Sequence, residues 1–108
     1  MAKVGRRYDL YLPLRDNDGQ PFPGTLLNSV EQRLMTRFGG LTMQQRTFPL
    51  RGIWQKARRI YIDEVIVMSA LDFRRQGSSR FITRLKRDLL REFDQLEILI
   101  TEQSLRVH

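Results

Sequence analysis

Few side chains in this chain could do chemistry. His108 is the single histidine and stands at the last position, where backbone motion makes a poor general base. There is no cysteine, which removes disulfides, thiolate catalysis and Cys-ligated zinc together. No Ser-His-Asp or Cys-His arrangement can form in the body of the chain. No P-loop and no Gly-x-Gly-x-x-Gly occurs, and the Gly39-Gly40 pair reads as a helix stop. Carboxylates remain. Asp63 and Glu64 are adjacent, so on a regular strand they point to opposite faces. Asp9 falls on a strand expected to neighbour theirs. Were these three to converge, they could hold Mg²⁺ for phosphodiester chemistry, and that is a remote reading of the chain as an enzyme. Asp16-Asn17-Asp18-Gly19 lacks the third oxygen ligand and the closing Glu of a calcium loop, so it reads as a turn. No metal and no cofactor is implied.

The basic side chains form the other pattern. Nineteen Lys and Arg residues stand against twelve Asp and Glu, a net charge of +7, and only Lys3, Lys56 and Lys86 among the basic residues are lysine. The calculated pI is about 10.8. Arg80, Arg84, Arg87 and Arg91 recur at helical spacing and fall in one stripe, with Arg74 and Arg75 in the loop before them. A polyanion would be drawn to such a ridge at long range, and nucleic acid is the partner it suggests. A solvated helix face with long side chains explains the same stripe, and that is the favoured reading.

Periodicity supplies the elements that would position these groups. Tyr8, Leu10, Leu12 and Leu14 alternate with Asp9, Tyr11 and Pro13, which predicts a first strand over Tyr8–Leu14. Leu26, Val30, Leu34 and Phe38 recur every four residues, so Thr25–Phe38 is a helix closed by Gly39. Leu41–Trp54 is extended and irregular, with Pro49 and Gly52 marking an edge or bulge. Gln55–Arg58 makes a turn, and Arg59–Leu71 is the strongest strand. Ser78 or Ser79 is placed to cap a second helix over Arg80–Gln95. Leu96–Val107 is the last strand. The order β-α-β-β-α-β is that of the ferredoxin-like α+β sandwich, with an antiparallel sheet and both helices on one face. Residues 1–108 form one domain, with 1–6 expected to be flexible.

The other sheet face has no segment left to cover it. Parity assigns Tyr11, Tyr61, Val65, Val67 and Leu99 to that face, and an apolar patch of this kind marks an interaction surface. A second copy of the chain fits it, giving a homo-oligomer, most simply a dimer. Single-stranded RNA is the other partner class, stacked on strand aromatics. An RNA-recognition motif, however, needs a glycine in its third strand, and Arg59-Ile60-Tyr61-Ile62-Asp63-Glu64 has none.

Phe38-Gly39-Gly40-Leu41-Thr42, then Gly52-Ile53-Trp54, then Tyr61-Ile62-Asp63-Glu64 resembles a family of small uncharacterised bacterial proteins. Leu12-Pro13-Leu14 and Asp16-Asn17-Asp18-Gly19 are similar to that family's first strand and loop. The resemblance implies a ferredoxin-like fold and brings no activity. It suggests that Thr42 and Trp54 shape a shallow pocket with Asp63 or Glu64. The leading expectation is therefore a self-associating interaction or structural domain without catalysis. A basic nucleic-acid-associated protein is the alternative. No secretory signal and no apolar run of membrane-spanning length is present, so a cytoplasmic protein with no membrane contact is expected.

Overall fold

The computed structural model describes residues 2–108. The alternation read in the first strand begins earlier than Tyr8: β1 runs Lys3–Pro13. Its opening residues pair with the far end of the chain, Lys3 opposite Val107 and Arg6 opposite Ser104. Lys3–Arg6 are thus ordered in a ladder, against the expectation of a flexible start; Met1 lies outside the described residues. Local composition there is polar, and only a strand arriving from a distant part of the chain fixes it.

Helix α1 spans Gly24–Phe38 and buries Leu27, Val30 and Leu34. Gly39 ends it at φ 79, and its N–H donates to the Met35 carbonyl at 2.8 Å. The irregular segment that follows is two strands, β2 (Thr42–Met43) and β3 (Leu50–Lys56). Both pair with β4 (Arg59–Asp72). Between them the ladder is broken, and the Gln44 side-chain oxygen accepts the Val67 N–H at 3.1 Å in its place. Five strands therefore stand among the described residues where four were expected. Helix α2 covers Ser79–Glu92 and buries Leu85 and Leu89. The last strand, β5, covers Ile100–Val107, later than expected. Ile98 is buried before it, and Leu99 joins the sheet only through its carbonyl, which accepts the Tyr11 N–H at 3.0 Å.

The sheet order is β2-β4-β1-β5 with β3 continuing beside β4, and β4 and β5 both run antiparallel to β1. This is the ferredoxin-like α+β arrangement with the second strand split in two. Tyr8, Leu10 and Leu12 of β1 and Ile66 and Met68 of β4 meet the buried faces of both helices, with Phe93 and Ile98 closing the far end. No helix among the described residues is long and apolar enough to cross a membrane.

The open sheet face is less apolar than parity suggests. At its centre Asp9 accepts from Ser69 at 2.5 Å and pairs with Arg7 at 3.3 Å. Exposed apolar surface instead gathers on the distal hairpin of β3 and β4, where Ile53, Trp54, Ile60, Tyr61 and Ile62 are all open to solvent. The principal extents, 47 × 31 × 27 Å, reflect that projection.

Gly39 is the residue on which the end of α1 depends. A side chain at φ 79 is strained. Gly39→Ala is expected to cost about 1 kcal/mol, read as a lower midpoint in thermal melts without loss of helix signal.

Candidate ligand site at the start of helix α2

The even positions of β4 face the helices, and the series Ile66, Met68, Ala70 ends on a carboxylate, Asp72. Its side chain has no solvent exposure. A buried charge is tolerated only when its oxygens are satisfied. Ser78 donates its hydroxyl to Oδ2 at 2.7 Å. Arg74 donates its backbone N–H to Oδ1 at 3.0 Å and its guanidinium to the same oxygen at 3.2 Å. Arg37, in the last turn of α1, donates to Ser78 Oγ at 3.2 and 3.0 Å. Arg74 also donates to the Arg37 carbonyl at 2.6 Å. One carboxylate thus ties the end of β4 to both helices.

Burial by itself would push the Asp72 carboxyl up, but hydrogen bonds from Ser78 and Arg74 outweigh it and hold the group below its usual value. The same bonds change how α2 begins. Ser78 occupies the N-cap position expected of it, yet its hydroxyl is engaged with Asp72, and α2 starts with no side-chain cap. The Ser78 N–H donates instead to the Tyr8 hydroxyl at 3.2 Å.

Two concave regions flank this first turn. One, about 570 Å³, lies between the helices and includes Gln32, Arg33, Arg37, Arg74 and Phe81. Its cations are committed: Arg33 holds Glu92 at 2.6 and 2.9 Å, and Arg37 lies over the Phe81 ring at 5.3 Å. The other, about 210 Å³, lies between α2 and β5 and includes Tyr8, Ser79, Thr83 and Glu102. Glu102 is directly opposite Tyr8 across the β1–β5 ladder, so both project toward the helices. Burial raises the Tyr8 phenol above its usual value of 10.0, and the Glu102 carboxylate adds to the rise. The phenol keeps its proton and can donate it in a hydrogen bond. Glu102 enters none of the ion pairs among the described residues. The smaller cavity therefore brings together a hydroxyl donor, a carboxylate without a cation, and the amide end of a helix, which favours an anion.

The residues singled out by sequence lie elsewhere. Thr42 pairs with Ser69, whereas Asp63 lies opposite Gly52, six positions away along β4 and roughly 20 Å distant at strand rise. Glu64 faces away from Asp63 and pairs with Arg15 at 3.3 Å. Thr42, Trp54, Asp63 and Glu64 form no common pocket. Asp9, opposite Ser69, is as far from Asp63, so the Asp9–Asp63–Glu64 metal reading has no geometry behind it. Arg75, Arg80, Arg84, Arg87 and Arg91 are exposed, and of these Arg91 pairs with Asp88 at 3.5 Å. Arg74 belongs to the Asp72 network. Tyr11, Val65 and Val67 lie on the open face as parity assigned them, with Val65 buried; Tyr61 is on the projecting hairpin and Leu99 precedes β5. The sequence reading missed Asp72, Glu102 and Arg37, and took Tyr8 only as core. The available signal was a carboxylate at an inward position of an otherwise apolar strand face, after Ala70 in one case and after Ile100 in the other.

No family model and no curated protein matches the chain. Among solved structures, it is similar to a phage SAM lyase in complex with S-methyl-5'-thioadenosine, with a TM-score of 0.63 and 12% identity. The match covers 95% of this chain and 88% of that one. At that identity the likeness is one of fold. It nevertheless corrects the functional expectation: the domain taken for a non-catalytic structural or nucleic-acid-associated module has, over nearly its whole length, the fold of an enzyme.

Asp72→Asn is expected to cost about 2–3 kcal/mol, mostly through the Ser78 and backbone bonds, since the half-exposed Arg74 contributes little. The folded pKa is depressed, so the carboxylate's contribution is complete above the unfolded value near ~4 and is lost as pH falls through the lower folded value. Thermal melts across acid pH should show the parent losing stability in that window and Asp72→Asn losing less.

Proposed function

We propose that the chain is a small-molecule enzyme of the kind that cleaves S-adenosylmethionine, with the Tyr8–Glu102 cavity receiving the methionyl end of the substrate. One observation carries the proposal: a Glu102 carboxylate with no cation partner faces the buried Tyr8 hydroxyl beside the uncapped start of α2. The shared fold supports it. S-adenosylmethionine carries a sulfonium cation and an amino-acid carboxylate a few bonds apart. Glu102 suits the first, and the α2 amides suit the second. A cavity of 210 Å³ is smaller than the roughly 300 Å³ at which ligand pockets begin, so the adenosyl group would lie outside it.

Release of S-methyl-5'-thioadenosine breaks the bond between the sulfonium and the aminobutyryl chain. Sulfur keeps the electron pair and becomes a neutral thioether. The neighbouring carbon gives up a proton to the Glu102 carboxylate, and the electron pair of that C–H bond becomes the carbon–carbon double bond of the released four-carbon amino acid. Tyr8, held protonated, orients Glu102 or the substrate by donating a hydrogen bond.

The chain works as a homo-oligomer in this reading, supported by the apolar hairpin that its own body leaves uncovered. A chain free of cysteine suits a reducing cytosol.

Incubation of the purified chain with S-adenosylmethionine should release S-methyl-5'-thioadenosine, resolved by chromatography. Glu102→Gln is expected to lower the rate by about 100-fold or more, the usual share of a positioned acid or base, with an unchanged melting midpoint. Absence of both turnover and calorimetric binding of S-methyl-5'-thioadenosine would overturn the reading.

A further inference from the structure

Beyond Val65, β4 has a neighbour on one side only. β1 ends at Pro13, opposite Val65, and β3 continues alone on the other side to the Ala57–Arg58 turn. The result is a two-stranded ribbon with apolar side chains on both faces and two open backbone edges. The β3 edge carries Arg51 and Lys56 with no carboxylate, whereas the β4 edge carries charges of both signs. Ribbons of this kind are marginal in water, and open apolar edges invite another strand.

The β4 edge has a definite hydrogen-bonding phase. The Leu14 N–H donates to the Glu64 carbonyl at 3.1 Å on the β1 side. Amides in an antiparallel ladder alternate sides, so those of Ile62 and Ile60 face the same open edge, while Arg59, Tyr61 and Asp63 bond to β3. Pairing two such edges about a two-fold axis puts residues of equal parity opposite each other, because the axis stands perpendicular to the sheet.

Three registers are then worth comparing. Centred on Ile62, the pairing sets Ile60 against a carboxylate and makes the Glu64 carbonyl serve two donors. Centred on Ile60, it sets Arg58 against Ile62. Centred on Tyr61, it places Ile60 opposite the partner's Ile62 as a bonded pair and Arg59 opposite the partner's Asp63. The pairing ends there, because Ala57–Arg58 is the turn and Glu64 is engaged by Leu14 and Arg15. Only this last register matches apolar with apolar and cation with anion, and it leaves the Leu14–Glu64 bond intact. Deepening the homo-oligomer part of the function proposed above, on which this rests, we propose that two copies of the chain join antiparallel through residues 59–63 of β4 about an axis at Tyr61. The two ribbons become a four-stranded sheet, with Ile53, Ile60 and Ile62 of both copies forming a continuous apolar strip on one face.

The cysteine-free chain makes the register measurable with single cysteines. At the axis, Tyr61→Cys stands in a non-bonded pair with Cα atoms about 4.5 Å apart, within the span a disulfide bridges. Ile60→Cys is offset from its own counterpart by two positions, more than about 7 Å away, beyond that span. Under mild oxidation Tyr61→Cys should form disulfide-linked dimers at least about ten times faster than Ile60→Cys. Asp63→Arg should weaken the dimer about tenfold in light scattering, and the further change Arg59→Asp in the same chain should restore it, since the opposed charges are exchanged. These positions are exposed, so the melting midpoint of the body should not move. Three results each overturn the proposal. A chain monomeric at about 100 μM removes the homo-oligomer reading with it. An oligomer in which Ile60→Cys links as fast as Tyr61→Cys removes the register alone. Failure of the charge exchange to restore the dimer also removes the register. Turnover of S-adenosylmethionine is scored separately from all three.

Discussion

The structure depends on a carboxylate without water. Asp72 ends the inward face of β4 at the point where the chain leaves the sheet and turns into α2. An ionised group there is stable only if donors converge on it, and they come from three parts of the fold: the hydroxyl of Ser78, the amide and guanidinium of Arg74, and, one bond removed, the guanidinium of Arg37. Removing a donor would leave the charge uncompensated, which is far more unfavourable than never having buried it. The entry angle of α2, the position of its first amides and the partner of the Tyr8 hydroxyl all follow from how this demand is met.

The arginines take a different meaning from that arrangement. By composition they announce a basic surface. In space, several are internal ties. Arg33 bridges α1 to Glu92 of α2, Arg37 reaches Ser78, and Arg46 joins the β2–β3 connection to Asn28 and Glu31 of α1. A guanidinium offers several donors in a fixed plane, which suits it to hold two elements at once. The outward stripe of α2 is what remains of the charge once these ties are accounted for.

Much of the architecture was legible because it is written locally. Alternation in Tyr8–Leu14 and Arg59–Leu71, four-residue recurrence in the two helices, and the Gly39 stop all act over a few residues. What was not legible depends on residues far apart. Lys3–Arg7 look like a polar tail and become strand only against Gln103–Val107 and, at Arg6 and Arg7, against Asp72 and Leu71. Gln44 completes a ladder with Val67 that no spacing rule anticipates. The candidate site fails the same way: Tyr8 and Glu102 come from opposite ends of the chain, and neither belongs to a motif. Parity did hold a clue, since Asp72 and Glu102 occupy inward positions where apolar residues precede them. The carboxylates that stand out in the sequence, Asp9, Asp63 and Glu64, are ones the sheet keeps apart.

The β1–β5 pairing has a mechanical side. Lys3 stands opposite Val107, so the two ends of the ladder lie together at one corner of the sheet. A force applied across them loads the hydrogen bonds one after another, as a zipper opens, rather than shearing the strand all at once. β5 is also an edge strand, held laterally by β1 alone. A machine that grips the C-terminal end would peel β5 first and would reach Glu102 only five residues into the strand, before the core between the helices and β4 is disturbed. A molecule seated between Tyr8 and Glu102 would stand across the opening seam and act as a clasp on it.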